Sequence, residues 1–192
     1  VVFDYKGGIM QKCFILIIAI GLCFASNYIT NGDFEQVQTV GWTQSTYGSA
    51  SITRGTTYDP DPDYEIYLYK ASGTTGHATL YQIADIPTTH LDFKVNAKLW
   101  AWDNYGGAWA GAAVILSYLD ASNTTLGDTR ICMRSSDCPW TDGPTCHIIA
   151  VYDSLWHTYT FNIYDELANL AGVDASEVDK IKVTLVDSVI HC

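Results

Sequence analysis

The stretch Leu91–Trp102 alternates strictly between apolar and polar positions. Leu91, Phe93, Val95, Ala97, Leu99 and Ala101 fall on one side; Asp92, Lys94, Asn96, Lys98, Trp100 and Trp102 fall on the other. Side chains of an extended chain point alternately to opposite faces, so a period of two held this long predicts a strand with one buried and one solvated face. Such a strand needs neighbours in its sheet and a second layer against its apolar side. Further β-rich segments are at hand at Tyr64–Lys70, Ala78–Ile86, Ala110–Asp120, Leu126–Met133, His147–Tyr152, Trp156–Ile163 and Lys180–Ile190. Tyr159, Phe161 and Ile163 share one face of their segment, as do Ile181, Val183 and Leu185. Many short strands in succession predict an all-β, antiparallel β-sandwich or barrel.

Two kinds of punctuation organise the strands. Asp120-Ala121-Ser122-Asn123 reads as a hairpin turn, and Asp59-Pro60-Asp61-Pro62-Asp63 as a loop, because proline cannot donate to a ladder. One short helix is expected near 163–171: Asn162 caps it, Ile163, Leu167, Leu170 and Ala171 recur at helical spacing, and Gly172 ends it. Asp174 with Glu177 forms a second cap-like pair before the last strand.

The front of the chain reads as processing signals. Lys6-Gly7-Gly8-Ile9-Met10 back-translates to a purine-rich ribosome-binding sequence ahead of ATG. Met10 is therefore read as the start, residues 1–9 as translated leader or artefact, and the source as prokaryotic. Residues 10–25 then form a signal peptide: Lys12 is basic, Cys13–Phe24 is apolar, and Cys23-Phe24-Ala25 offers a cleavage site. The apolar run is shorter than the roughly 20 residues a membrane span needs. A lipid anchor at Cys23 is the alternative, and the bulky Leu22 argues against it. Residues 26–192 are left as one secreted, extracellular domain with no membrane span.

With a net charge of −11, the chain lacks the basic surface that nucleic acid requires. Cys132, Cys138, Cys146 and Cys192 follow the signal, and an even count in an exported chain reads as disulfides with three connectivities open. Closing the Cys132–Cys146 loop would contribute about 3 kcal/mol on the chain-entropy model. The spacing of Cys132, Cys138, Cys146 and His147 matches no paired zinc pattern.

Asn31-Gly32-Asp33-Phe34-Glu35 followed by Gly41-Trp42 resembles the opening of galactose-binding-like jelly-roll carbohydrate-binding modules, the type appended to xylanases and glucanases. Leu80-Tyr81-Gln82 with Ile86-Pro87 resembles their entry into the second sheet, and Leu91–Trp102 their long central strand. The resemblance implies a jelly-roll sandwich without catalytic residues. It also implies a structural calcium held by Asp33 or Glu35 with a late-strand carboxylate such as Asp187; otherwise no cofactor is expected. Such modules close on an Asp-Asn-Val type strand. Either Asp187-Ser188-Val189 is a version of it, or the closing strand lies beyond Cys192 and the chain is a fragment whose partners include further domains of the same polypeptide.

The residues that bear on function are aromatic. Alternation puts Trp100 and Trp102 on the polar face of their strand, where each forgoes roughly 1.5–3 kcal/mol of burial. Rings so placed can stack on a sugar, with Tyr105 and Trp109 extending the platform. The competing reading is that the Cys132–Cys146 loop, with Trp140, covers them. Trp42 and Trp156 are assigned to packing. The acidic run Asp59–Glu65 reads as a solvated turn or a calcium loop, and it lacks the glycine an EF-hand needs, Tyr64 standing there. No Gly-x-Ser-x-Gly elbow, His-Glu-x-x-His or phosphate-binding glycine loop occurs. The expected function is a secreted, non-catalytic module binding polysaccharide or cell-surface glycan. The alternatives are a structural or adhesive surface domain, or a small glycan-active hydrolase or lyase with a carboxylate pair.

Overall fold

The computed structural model describes residues 27–57, 63–71, 74–102 and 108–191. The segments expected to be leader and signal peptide, Tyr105, Cys192 and residues 58–62 of the acidic run lie outside them. Strands β1 (Thr43–Tyr47), β2 (Ala50–Gly55), β3 (Glu65–Lys70), β4 (Gly76–Asp85) and β5 (Asp92–Ala97) come first. They are followed by β6 (Ala108–Leu119), β7 (Thr125–Arg134), β8 (Cys146–Ala150), β9 (His157–Asn162), a short helix α1 (Ile163–Leu167), a single 3-10 turn (Ala175–Glu177) and β10 (Lys180–His191).

A six-stranded sheet runs in the order β1-β4-β10-β6-β7-β8, and the pairs β2-β3 and β5-β9 form the opposing layer. From β3 to β6 the chain alternates between layers, and it crosses again from β9 to β10, the connectivity of a jelly roll. Leu80, Val114, Leu116, Ile131 and Val183 from the large sheet meet Phe93 and Ala97 of β5 in one core, with Ile52, Leu68 and Phe161 packed against it. Ile163, Leu167 and Leu170 add to that core, which is why a helix of five residues persists where an isolated one would not. Its cap is Asn162, whose side chain accepts from the Tyr164 amide at 3.1 Å. Among the described residues no helix is long and apolar enough to cross a membrane.

Pairing is antiparallel except at one edge. β8 runs parallel to β7, with Cys132 opposite Ala150 and Asp128 opposite Cys146. The reason is the 135–145 connection, which returns across the outside of the large sheet instead of turning tightly, and a parallel neighbour requires such a return. The ladder of β5 stops at Ala97, five residues short of the alternating stretch, because its partner β9 begins at His157. Turn 120–124 forms as the sequence indicates: the Asp120 carboxylate accepts from the amides of Ser122 at 2.9 Å and Thr124 at 2.7 Å.

The segment that carried the family resemblance is a clasp. Asn31 sits at φ 50°, a left-handed conformation asparagine tolerates. Its side chain donates to the Gln36 and Val37 carbonyls at 3.2 Å and accepts from the Gln36 amide at 2.9 Å. Trp42 is buried, donates its indole N–H to the Asn31 carbonyl at 3.1 Å, and packs on Phe34 with ring centroids 5.3 Å apart. Gln82 pins the clasp to β4 through both the N–H and the carbonyl of Thr30, at 2.7 and 3.0 Å. These residues hold the fold, and Trp42 has the packing role expected of it.

Candidate functional site

Trp100 and Trp102 follow β5 directly. Beyond Ala97 the ladder is gone but the alternation of burial is not: Leu99 is buried and Ala101 half-buried, while Lys98, Trp100 and Trp102 are exposed. Trp100 is 66 % and Trp102 63 % exposed. The core holds the odd-numbered side and leaves both rings in solvent on the side of Lys94 and Asn96.

The 135–145 connection does not cover them. Trp140 lies instead on the outer face of the large sheet, edge-on to Trp109 with centroids 5.8 Å apart at 63°. Trp109 therefore belongs to a different surface from Trp100 and Trp102, contrary to the expected shared platform. The cause is strand parity: Ala108 and Ala110 of β6 are buried, so Trp109 between them points outward. Trp140 also receives the Arg130 guanidinium at 5.3 Å from its ring, and Arg130 is held by a two-point ion pair with Asp128 at 2.8 and 3.0 Å.

This outer face has a second aromatic edge that the sequence reading missed. Tyr47 of β1 and His77 of β4 face outward together, ring centroids 6.2 Å apart, and Ser45 meets His77 at 3.3 Å. Tyr81 carries Lys182 over its ring at 4.4 Å. Register aligns His77 with Ser188 and Ser188 with Gly111, the residue beneath Trp140. With strands about 4.8 Å apart, the backbone positions of His77 and Gly111 stand about 10 Å from each other with Ser188 between them. The signal was available in β4, where His77, Thr79, Tyr81 and Ile83 alternate with Ala78, Leu80, Gln82 and Ala84.

The residues expected to hold calcium are not brought together. Glu35 accepts from the Tyr64 amide at 3.2 Å, and Arg54 binds the carbonyls of Phe34 and Glu35, at the Gly55–Glu65 end of the β2-β3 pair. Asp33 bonds the Glu35 amide at 3.3 Å. Asp187 accepts from the Lys70 amide at 2.8 Å, at the other end of the same pair. Burial raises the Asp187 carboxyl to about 6, against the opposing pull of the Lys70 amide and ammonium. Among the described residues no three His, Cys, Asp or Glu side chains are grouped to hold a metal ion.

Inside the sandwich a polar chain joins the sheet to α1. The Tyr118 hydroxyl meets Thr129 Oγ1 at 2.9 Å, Thr129 donates to Glu166 Oε1 at 2.9 Å, and Glu166 also takes His147 Nδ1 and the Asn169 amide. Glu166 is 7 % exposed, and these partners satisfy a carboxylate that burial would otherwise penalise. Cys132, Cys138 and Cys146 are free thiols in the structure. The register sets Cys132 and Cys146 four residues apart along adjacent strands, more than 10 Å by the rise of about 3.3 Å per residue, so the Cys132–Cys146 pairing is excluded.

No family model matches the chain, and no curated protein does. Solved structures do. TmCBM61 in complex with β-1,4-galactotriose is 14 % identical, with a TM-score of 0.42, over 85 % of this chain and 88 % of that one. The family 11 carbohydrate-binding module of the cellulosomal cellulase Lic26A-Cel5E of Clostridium thermocellum is 14 % identical, with a TM-score of 0.37, over 82 % and 87 %. The C-terminal family 22 module of Clostridium thermocellum Xyn10B is 13 % identical, with a TM-score of 0.36, over 78 % and 83 %. The chain is thus similar along most of its length, at low sequence identity, to carbohydrate-binding modules of three families.

Proposed function

We propose that this chain is a secreted, non-catalytic module that binds polysaccharide or cell-surface glycan, with Trp100 and Trp102 as stacking residues. The observation that carries the reading is the exposure of both indoles, 66 % and 63 %, at alternate positions of one extended segment whose other side is anchored in the core. Solvated aromatic faces on an anchored segment can stack on the apolar face of a pyranose with little backbone left to order. Export belongs to the same reading and rests on the apolar run Cys13–Phe24. N-terminal sequencing of exported protein should then begin near Ser26, and retention of Met10–Ala25 in a membrane fraction counts against it.

A second seat for the same ligand class is favoured by the outer face of the large sheet, where the Tyr47–His77 and Trp109–Trp140 edges flank a floor of small residues. A glycan array probed with wild type, Trp100→Ala/Trp102→Ala and Tyr47→Ala/Tyr81→Ala tests both. Glycan binding lost in the tryptophan variant alone supports the proposed seat. Loss in the tyrosine variant alone moves the seat to the large sheet. Wild-type protein that binds no glycan at all contradicts the function and leaves the structural or adhesive alternative.

A further inference from the structure

We propose that Cys132 and Cys138 form a disulfide that clamps the 135–145 connection, and with it Trp140, onto the outer face of the large sheet. This is independent of which ligand, if any, the chain binds.

The geometry begins with parity. Cys132 stands opposite Ala113 in the β6-β7 ladder, on the outward side shared with Trp109, Gly111 and Arg130. An outward position on a sheet face is normally half-exposed, yet Cys132 is 1 % exposed. The 135–145 connection accounts for that cover. Ser135 donates its amide to the Ala110 carbonyl at 2.9 Å and takes the Ala110 amide on its hydroxyl at 3.0 Å, which fixes where the connection leaves the sheet. The Cys138 amide then donates to the Ser135 carbonyl at 3.2 Å, closing a turn that folds the chain back. The returning chain places Trp140 over Gly111 and beside Arg130, the positions on either side of the Ala113–Cys132 pair. Cys138 therefore enters from above, and it is itself only 4 % exposed. Both thiols are thus buried where the turn folds back on the sheet, near enough for Cys138 to act electrostatically on Cys132, while Cys146 stands beside Asp128 one strand over.

Burial pushes the Cys132 thiol up to about 11, with the neighbouring Cys138 adding to the rise, and burial raises Cys138 as well. The thiolate is the reactive form, so oxidation of the closed state is slow and proceeds through local opening of the connection. With oxidised glutathione as the oxidant the step balances. One protein thiolate attacks the glutathione disulfide, forming a mixed disulfide and releasing one glutathione thiol. The second protein thiolate attacks the protein sulfur of that mixed disulfide, forming the Cys132–Cys138 bond and releasing the second glutathione thiol. Two protein thiols are oxidised, their two protons end on the two released glutathione thiols, and one glutathione disulfide is reduced.

The test uses the full chain held at pH 8.5 with oxidised glutathione, alkylated, then cut with trypsin and chymotrypsin and mapped by mass spectrometry. The expected product joins the 131–134 peptide to the 135–140 peptide at two hydrogens less than their sum, with Cys146 alkylated. Alkylation of both Cys132 and Cys138, glutathione left on either, or linkage of either to Cys146 or Cys192 overturns the proposal. A second readout is native trypsin cleavage after Arg134. Oxidised wild type should be cut at least tenfold more slowly than reduced wild type, and oxidised Cys138→Ser as fast as its reduced form. Equal rates for oxidised and reduced wild type overturn the clamp.

Discussion

Trp140 lies directly above Gly111, and its indole occupies the space a side chain at that position would need. A Cβ built on Gly111 would come within 2.9 Å of two atoms of the Trp140 ring. The sheet residue is glycine because a strand approached from outside by an aromatic has no room for a methyl group. Gly111→Ala should therefore cost about 1–3 kcal/mol in a denaturant melt, by overpacking. Adding Trp140→Ala should recover part of that loss, so the double-mutant cycle should be non-additive. Additive losses would mean that the two residues are not coupled.

Thr129 is the middle of the buried chain from Tyr118 to Glu166. Thr129→Val keeps the shape and removes one donor and one acceptor, leaving the Tyr118 hydroxyl and the Glu166 carboxylate each short of a partner. At about 1–3 kcal/mol for each buried polar group left unmade, a loss of roughly 2 kcal/mol or more is expected. In a domain of this size that lowers Tm by about 4–8 °C, readable by calorimetry. An unchanged Tm would show that the chain contributes nothing to stability.

Asp187 predicts a pH dependence whose sign is fixed by the direction of its shift. Its carboxyl is raised to about 6 in the fold by burial. Between the ordinary carboxyl value near 4 and 6, the folded chain binds more protons here than the unfolded one. Stability from this group is therefore highest below about pH 4, falls as pH rises to about 6, and stays reduced above. The full difference is roughly 3 kcal/mol. Asp187→Asn retains an acceptor for the Lys70 amide, so it should be more stable than wild type at pH 7.5 by about 1–2 kcal/mol and no more stable at pH 4. Denaturant melts at the two values read this, and a wild type whose stability is flat from pH 4 to 7 would contradict it.

The fold was legible where side-chain pattern alone decides it. Alternation from Leu91 to Trp102 anticipates the burial of every residue in that stretch, including the five beyond the end of the ladder. The ladder's end itself was not legible, because it depends on where β9 starts. β1 was missed for a related reason: Thr43–Tyr47 has no apolar face, all five residues are exposed, and it is a strand only because β4 offers an edge. β2, to which no element was assigned, begins after a reversal at Gly48, whose φ of 68° a side chain would resist, so the chain changes layers between two short segments. The parallel direction of β8 depends on a crossover, which no local pattern encodes.

The candidate site divides the same way. Exposure of Trp100 and Trp102 followed from parity, and the structure agrees. Grouping Trp109 with them failed because nearness in sequence was allowed to stand for nearness in space, across a connection that moves the chain to the other layer. Tyr47 and His77 meet only through the register of β1 on β4, which no single strand reveals. The roles of the cysteines also depended on register, which separates Cys132 from Cys146.

Glycan binding by the two solvated indoles after β5 is tested by isothermal titration of the strongest array ligand into wild type and Trp100→Ala/Trp102→Ala. Each stacked ring is worth on the order of 1 kcal/mol, so the variant should bind at least tenfold more weakly. Its Tm should stay within about 2 °C of wild type, because neither exposed ring supports the core. An unchanged Kd in a variant that folds as well as wild type would contradict the claim.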